Sequence, residues 1–580
     1  MHSEPLRCAL LLIGLGGSMG CSAEEQAPHV ILVTLDTTRA DALGVYGGPQ
    51  GLTPHLDRLA QESLVFTEAR TVAPLTLPAH ASMFTGLYPP RHGVRGNGPM
   101  FLPSSASTLA EAARDAGYET AAFVSSLALD KDFRLNQGFE NYDQPGSEAQ
   151  DSSLMNKQRA DATTVQRALT WLDSRPADRP FFLWVHLFDP HAPYVPQKEF
   201  AERAPGDPYL GEVAAMDAAF GTLREGLNGM RDARRQILAV VGDHGEGRME
   251  HDEPTHALLC YDSTLRVPML LHDSATDQGG TQVTQLSSVV DVYPTLLASM
   301  GLPQVAGIDG HDLLSKEPGN RAGIYFESNY GYRSYGWSPL AGWMDEGRKY
   351  IHSSKPELYS RSGDVNEEHN LLDESGAEAL SYRNSIAALF NLPKLAADRH
   401  SAVSEELYTS LNALGYTSSA SPQVEFLHPL ESTNRFAPQD RMAEAQACNQ
   451  AWSALAKGQP AEAVILFEGV LSGNPANSWA MSKFAQALME IREWERALEV
   501  LRDRLKLAPD LVDTHQRIAQ CLSATGGSQE LIREHLRRAM WLTAEAYDAR
   551  GQGAAAEKYR GMYKKALEQS LAKPRAQGSD

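Results

Sequence analysis

Two short uncharged runs, Val30-Ile31-Leu32-Val33 and Ile237-Leu238-Ala239-Val240-Val241, each lead into an acid with further metal-ligand side chains beside it. The first continues as Thr34-Leu35-Asp36-Thr37-Thr38-Arg39, the second as Gly242-Asp243-His244-Gly245-Glu246. Runs this short, rich in branched residues and free of charge, read as parallel strands buried on both faces. In an open α/β sheet, ligands gather at the carboxyl ends of the strands. Asp36 and Asp243 are therefore expected at one site. Between them, Thr76-Leu77-Pro78-Ala79-His80-Ala81-Ser82-Met83-Phe84-Thr85-Gly86 reads as a nucleophile loop running into a helix.

Length and charge bound the rest. A chain of 580 residues is too long for one core, since domains seldom pass about 300 residues. The formal charge of −21 comes without a basic stripe, which excludes nucleic acid and a broad anionic membrane surface as partners. Residues 1–20 read as an export signal: Arg7 precedes Cys8-Ala9-Leu10-Leu11-Leu12-Ile13-Gly14-Leu15, a run too short to span a bilayer. Ser18-Met19-Gly20-Cys21 has the form of a bacterial lipobox, with Ser18 where that motif usually has Leu, and residues 21–27 follow as a polar tether. The expected location is periplasmic or at the cell envelope, with the membrane reached only through a lipid anchor on Cys21. After processing, Cys260, Cys448 and Cys521 remain, too scattered for a disulfide framework.

From residue 28 to 320 short apolar runs alternate with amphipathic stretches, among them Thr120-Ala121-Ala122-Phe123-Val124, Pro180-Phe181-Phe182-Leu183-Trp184-Val185-His186 and Val267-Pro268-Met269-Leu270-Leu271. Such alternation predicts a layered α/β catalytic domain. Residues 321–417 change character: Gly323-Ile324-Tyr325-Phe326, Ser338 to Trp343 and Lys349 to His352 are short strands between turns, which predicts a small antiparallel subdomain. Residues 418–440, rich in Ser, Pro and Asn, read as a linker. Over residues 441–572 positions recur every 34 residues: Ala451 as Ala485 and Ala519, Ala463 as Ala497, Leu471 as Leu505, Pro475 as Pro509. Small Ala at helix crossings and Pro after each second helix make this resemble tetratricopeptide repeats, an all-α solenoid whose concave face would bind a protein or peptide partner.

Asp36, Asp243 and His244 are a carboxylate pair plus an imidazole, suited to Zn, Mn or a similar divalent ion. Together with the Thr76 loop they carry a wider resemblance. Asp36 to Asp41, Thr76 to Ser82 with Thr85-Gly86-Leu87-Tyr88-Pro89-Pro90-Arg91-His92-Gly93, Asp189-Pro190-His191-Ala192-Pro193-Tyr194, Gly242 to Glu246 and Leu265-Arg266-Val267-Pro268 resemble, in order and spacing, the sulfatase branch of the alkaline phosphatase superfamily. The resemblance implies an alkaline-phosphatase-like α/β/α sandwich with one active site at the strand ends. The departures point elsewhere. Sulfatases carry Cys or Ser at the place of Thr76, because that residue is oxidised to formylglycine, and Thr does not give that aldehyde. They carry Arg at the place of His80, a second Asp at that of Thr37, and often Asn at that of His244.

The set Asp36, Thr76, Asp243 and His244 is more similar to the one-metal site of lipoteichoic acid synthases and phosphoethanolamine transferases, where a metal-bound threonine attacks phosphorus. By that resemblance these four residues hold one divalent metal ion (Zn, Mn or Ca), with a second ion as an option around His186, Asp189, His191, His251 and His256. A threonine hydroxyl is a weak nucleophile near neutral pH, and a cation lowers its pKa. The resemblance places His80, His191 and His256 among the catalytic groups and His186 and His251 in substrate contact, while Asn97 is a candidate donor to an oxyanion. Arg39 and Asp41 brace the loop. The expected activity is hydrolysis of an anionic phosphate diester, phosphonate or sulfate ester. The alternatives are transfer of a phosphoryl-linked group and, from a different class, a non-catalytic scaffold whose repeats bind partners.

Overall fold

The computed structural model describes residues 26–98, 100–145, 158–232, 234–315, 321–398, 426–431, 434–548 and 553–571. The export signal, Cys21 and most of the residue 418–440 stretch before Phe426 lie outside them. The described strands are β1 (His29–Leu35), β2 (Leu64–Phe66), β3 (Ala69–Arg70), β4 (Glu119–Phe123), β5 (Asn141–Asp143), β6 (Phe181–Leu187), β7 (Gln236–Gly242), β8 (Met269–Asp273), β9 (Gln282–Val283), β10 (Ser287–Ser288), β11 (Ile324–Ser328), β12 (Leu340–Met344), β13 (Arg348–His352) and β14 (Glu357–Ser360). Eight of them form one sheet in the order β5-β4-β6-β1-β7-β8-β2-β9. β1 lies at its middle, parallel to β6 on one side and β7 on the other. In this sheet β8 alone runs against its neighbours.

Alternation along β1 feeds two cores. Val30 and Leu32 point into the layer that holds the helices Thr76–Thr85, Leu109–Asp115 and Val292–Ser299. Ile31, Val33 and Leu35 point into the opposite layer, against Asp161–Ser174 and Pro208–Asn228. A period-2 strand buried on both faces has to be apolar at every position, and every residue of β1 is buried. The result is a helix–sheet–helix sandwich with Asp36 and Asp243 just beyond the carboxyl ends of adjacent strands.

β11 to β14 form a separate antiparallel sheet in sequence order, backed by the helix Gly376–Phe390. The residues after Phe426 are packed, in contrast to the spacer their composition predicts. The Phe426 ring lies under the Arg95 guanidinium (4.5 Å), His428 lies against Phe390 (4.6 Å), and the Ser338 N–H donates to the Phe436 carbonyl. Seven helices follow from Met442–Ala456 to Gly553–Leu571. The first pairs seat directly on the antiparallel subdomain: Trp337 Nε1 donates to Glu444 Oε2 (3.1 Å), and Asn474 Nδ2 donates to the Tyr335 carbonyl (2.8 Å). One apolar cluster therefore runs from the sheet through Tyr325 and Trp337 into Cys448 and Phe467. The glycine pair Gly526-Gly527, where the period weakens, is the turn between Val512–Ala524 and Gln529–Asp548. Among the described residues no helix is long and apolar enough to cross a membrane.

Candidate active site

The helix Thr76–Thr85 begins on Thr76 and is buried along its whole length. A buried helix start leaves backbone donors that need partners. Leu77 N–H donates to Asn97 Oδ1 (2.9 Å), and Pro78 has no N–H to satisfy. Gly86 closes the helix in the left-handed region (φ 66°) that glycine takes without strain. Thr76 is thus pinned at the dipole-positive end of a rigid element, where an anion is favoured.

Its hydroxyl oxygen stands 3.4 Å from His244 Nε2. His244 Nε2 is in turn 3.7 Å from Asp36 Oδ1 and 3.7 Å from Asp243 Oδ2. His244 Nδ1 lies 2.9 Å from the Gly245 carbonyl, which can only accept, so Nδ1 carries the proton and Nε2 presents its lone pair. Asp243 Oδ1 accepts the N–H groups of Thr37 and His244, which leaves Oδ2. Asp243 Oδ2 is buried without a hydrogen-bond partner, and the buried Asp36 Oδ2 has only the His186 ring, 3.3 Å away. Two adjacent buried carboxylates with oxygens left over need a cation. His244 Nε2 thus stands 3.4 Å from the Thr76 hydroxyl and 3.7 Å from one oxygen of each acid, spacings compatible with atoms that share one divalent ion. Residues Asp36, Asp243 and His244 meet as a candidate ligand group, with the Thr76 hydroxyl 3.4 Å from His244.

Electrostatics say the same. Burial and the Asp36 charge push the Asp243 carboxyl well above its ordinary value. Asp36 is held low: burial would raise it, but the His186 hydrogen bond and the surrounding imidazoles outweigh that. Without a cation the two acids share one charge. Burial pushes His244 well below its ordinary value, which suits a neutral ligand.

His191 and His256 come to this centre, while His251 turns from it. The His256 ring lies 4.5 Å from that of His244 and 5.2 Å from that of His191. His256 Nδ1 donates to Glu246 Oε1 (3.1 Å), and the Tyr194 hydroxyl donates to Glu246 Oε2 (2.5 Å). Burial would lower His256, but the Glu246 carboxylate more than reverses it and its pKa is raised. His191 Nδ1 donates to the Ala192 carbonyl (2.7 Å); burial lowers its pKa. His186 Nε2 is 3.3 Å from Asp36 Oδ2, behind the ligand set. His251 instead stacks on Tyr261 (3.6 Å) and bonds the Asn366 carbonyl (2.9 Å). It lines a neighbouring cavity of about 430 Å³ with Arg39, Arg70, Asp262 and Lys349, so the second ion set expected to include His251 is not assembled. The cause is the backbone of its loop, which takes left-handed φ at Met249, His251 and Asp252. His80 stands behind Thr76 with both ring nitrogens taken by the protein, Nδ1 by Thr76 O and Nε2 by Thr34.

Asn97 is buried, and its Nδ2 has no hydrogen-bond partner in the protein. With Oδ1 held by Leu77 N–H, the amide is oriented and Nδ2 remains as a donor beside Thr76. Three residues escaped the sequence reading. Glu246 closes the Asp243 motif, and its motif place was the available signal. Tyr194 ends the His191 loop. Arg95 pairs with Glu327 (2.6 Å) from β11 and steadies the Asn97 loop from behind; nothing in the sequence marks that pair. Arg39 bonds Asp41, Glu250 and the Glu246 carbonyl, the bracing role expected of it.

Comparison with known proteins agrees with this geometry. Residues 28–302 match the sulfatase family model, and residues 454–521 match a tetratricopeptide repeat model. The chain is 29% identical to an ulvan-active sulfatase of Formosa agariphila over 51% of its own length and 66% of that enzyme's. It is 27% identical to human arylsulfatase A, covering 55% of this chain and 74% of that one. Among solved structures, a phosphonate monoester hydrolase of Agrobacterium radiobacter superposes with a TM-score of 0.54 at 21% identity, covering 62% of this chain and 95% of that one. A structure holding its substrate D-glucosamine-2-N,6-O-disulfate gives 0.55 at 18%, with 63% and 98% covered.

Proposed function

Since residues 28–302 are a sulfatase-family domain of the alkaline phosphatase superfamily and a tetratricopeptide repeat follows at 454–521, we propose that the protein is a metal-dependent ester hydrolase whose nucleophile is the Thr76 hydroxyl, acting on phosphate diesters or phosphonate esters ahead of sulfate esters. The observation that supports this reading is the buried Thr76 hydroxyl 3.4 Å from His244, which itself meets Asp36 and Asp243 in one candidate ligand group. A threonine there has no route to formylglycine, so the hydroxyl itself has to react. The likeness to the phosphonate monoester hydrolase supports the fold, and sulfate-acting relatives keep the sulfate ester as the second substrate class.

A divalent cation held by Asp36, Thr76, Asp243 and His244 would supply Lewis acidity, lowering the hydroxyl pKa and offsetting charge on the transferred group. The remaining steps belong to the chain. The Thr76 hydroxyl gives its proton to water, its oxygen bonds to phosphorus, and the bond to the leaving alcohol breaks. Asn97 Nδ2 donates to a non-bridging oxygen as charge builds there. His256, oriented and held protonated by Glu246, gives a proton to the departing oxygen, with His191 beside it on the reacting group. Water then hydrolyses the threonyl ester and restores Thr76. His186 acts through Asp36, on the far side from substrate.

The same reading takes residues 28–417 as the catalytic unit and 441–572 as a repeat array for a protein partner. It takes the chain as exported and lipid-anchored at Cys21. The test is initial-rate hydrolysis of matched nitrophenyl phosphate diester, phosphonate, phosphate monoester and sulfate, with added Zn, Mn, Ca or chelator, on wild type and Thr76→Ala. Metal-dependent cleavage of a phosphorus ester that vanishes in Thr76→Ala is the expected result. Turnover that survives Thr76→Ala would remove the nucleophile, and preferential sulfate cleavage would reverse the order of substrates.

A further inference from the structure

We propose that His80 is a positioning residue: its Nδ1–H holds the carbonyl of the nucleophile Thr76, and Thr34 and Trp184 fix the ring in the tautomer that can do so. The inference rests on Thr76 as nucleophile and adds a role for the residue that stands where the sulfatase motif has Arg.

Hydrogen-bond directions around the ring leave one consistent assignment. His80 Nδ1 is 2.8 Å from the Thr76 carbonyl oxygen, one turn back along the same helix. A carbonyl has no proton to give, so Nδ1 carries it. Nε2 is 3.0 Å from Thr34 Oγ1, and Trp184 Nε1–H donates into that same oxygen (2.9 Å). Indole nitrogen is a donor only. The Thr34 hydroxyl, its acceptor side taken by Trp184, turns its own proton to His80 Nε2. The chain therefore reads Trp184 N–H to Thr34 O–H to His80 Nε2, then His80 Nδ1–H to Thr76 O, with every donor and acceptor used.

This excludes two other roles. His80, His186 and Asp243 approach one another closely enough to resemble a metal-binding group, but a ring with Nδ1 protonated and Nε2 receiving a hydroxyl has no lone pair for a cation. Both ring nitrogens are engaged by Thr76 O and Thr34, so neither is free to exchange a proton with a leaving group. What it can do is hold the backbone of the residue whose side chain reacts. Nδ1 also lies 3.8 Å from Asp243 Oδ2, so the holder stands beside a proposed ligand. The three contributors sit on β1, β6 and the Thr76 helix, and all three are buried. A shift of about 1 Å in a reacting group can reduce a rate about 100-fold, so such a holder is visible in kcat.

Asn and Gln separate the roles, since an Asn amide nitrogen falls near the Nδ1 position and a Gln amide nitrogen near Nε2. We compare His80→Asn, His80→Gln, Thr34→Val and Thr76→Ala for kcat, KM, the pH–rate profile and bound metal per chain. Expected is a roughly 3–10-fold fall in kcat for His80→Asn and a roughly 100-fold fall for His80→Gln, with KM within about 3-fold. Both limbs of the pH profile persist in His80→Asn, metal content stays at the wild-type value, and Thr34→Val lowers kcat in the same direction. Loss of a pH limb in His80→Asn would make His80 an acid or base. Loss of metal in the same variant would make it a ligand, and equal losses for Asn and Gln would remove the Nδ1 contact. Each of these overturns the inference, and if His80→Gln fails to fold, His80→Asn and Thr34→Val still decide it. Thr76→Ala with full turnover would instead overturn the nucleophile assignment, whatever the His80 variants do.

Discussion

Lys349 on β13 is the internal cation that joins the antiparallel subdomain to the catalytic sheet, and Lys349→Met measures that joint. Its ammonium is 1% exposed, 3.0 Å from Asp262 Oδ1 and 2.6 Å from Glu367 Oε1. Removing one partner of a buried ion pair costs about 3–5 kcal/mol, because the other is left charged and dry. Here the lower end applies. Asp262 keeps Arg70, which donates to it at 2.7 Å, so the stranded charge is Glu367 alone. Burial, which the Lys349 charge only partly offsets, raises Glu367 to about 7; without Lys349 it rises further, so in the variant the acid stays protonated at pH values where the wild type has ionised, at about 1.4 kcal/mol per pH unit of that difference. The sign follows: a carboxyl raised in the fold contributes stability at low pH that is lost as pH rises through about 7. Lys349→Met should therefore destabilise by about 3 kcal/mol at pH 8 and about 1–2 kcal/mol at pH 6. At about 2–4 °C per kcal/mol the midpoint falls by about 6–12 °C at pH 8. Tryptophan fluorescence during thermal unfolding reads it, and Lys349→Met/Glu367→Gln should recover more than half of the loss. A fall that is equal at both pH values, with no recovery in the double variant, would refute the reasoning.

Glu246→Gln keeps the shape but removes the charge that raises His256. The alkaline limb of kcat, where the acid must stay protonated, should move to lower pH, and an unmoved limb in the pH–rate profile would sink His256 as the proton donor. Chelation should abolish turnover and lower the thermal midpoint. That drop should be larger at pH 8 than at pH 5, since Asp243 is raised in the fold and regains a proton as pH falls; a midpoint insensitive to chelator would count against the ligand set. Asn97→Ala removes both the cap on Leu77 and the donor at Nδ2, so kcat should fall about 100-fold. A fall under about 3-fold in initial rate would return Asn97 to a turn-forming role.

Sequence carried the sheet well where burial acts on both strand faces. The runs at Val30 and Ile237 became β1 and β7 because a doubly buried strand allows no charge. The run at Val267 became β8, but its reversed direction was hidden, since an apolar run reads alike both ways. That Asp36, Thr76, Asp243 and His244 lie together was legible because each adjoins the end of a regular element. His251 was not, because left-handed residues on either side of Glu250 swing it into the neighbouring cavity. His80 was legible as important and illegible as to role, since its partners come from two strands remote in sequence. The described part of the stretch before Met442 was misread as a spacer through its Ser and Pro, although Phe426 offered an aromatic ring for Arg95 to cover.

The seat between subdomain and first repeats makes the solenoid a beam built in at one end. Its root is the segment 329–338, gripped by Glu444, Asn474 and Trp479, with Gln446 also reaching the Asp252 carbonyl (3.1 Å). Its tip, Gln529–Asp548 and Gly553–Leu571, is carried by the preceding helices and leaves Trp541 39% and Met562 46% exposed. A load hung on the tip is borne as a bending moment at the root. There Asn329 Nδ2 bonds Glu327 (3.1 Å), which grips Arg95 two places ahead of Asn97. The root of the beam is thus also the back wall of the loop that carries Asn97.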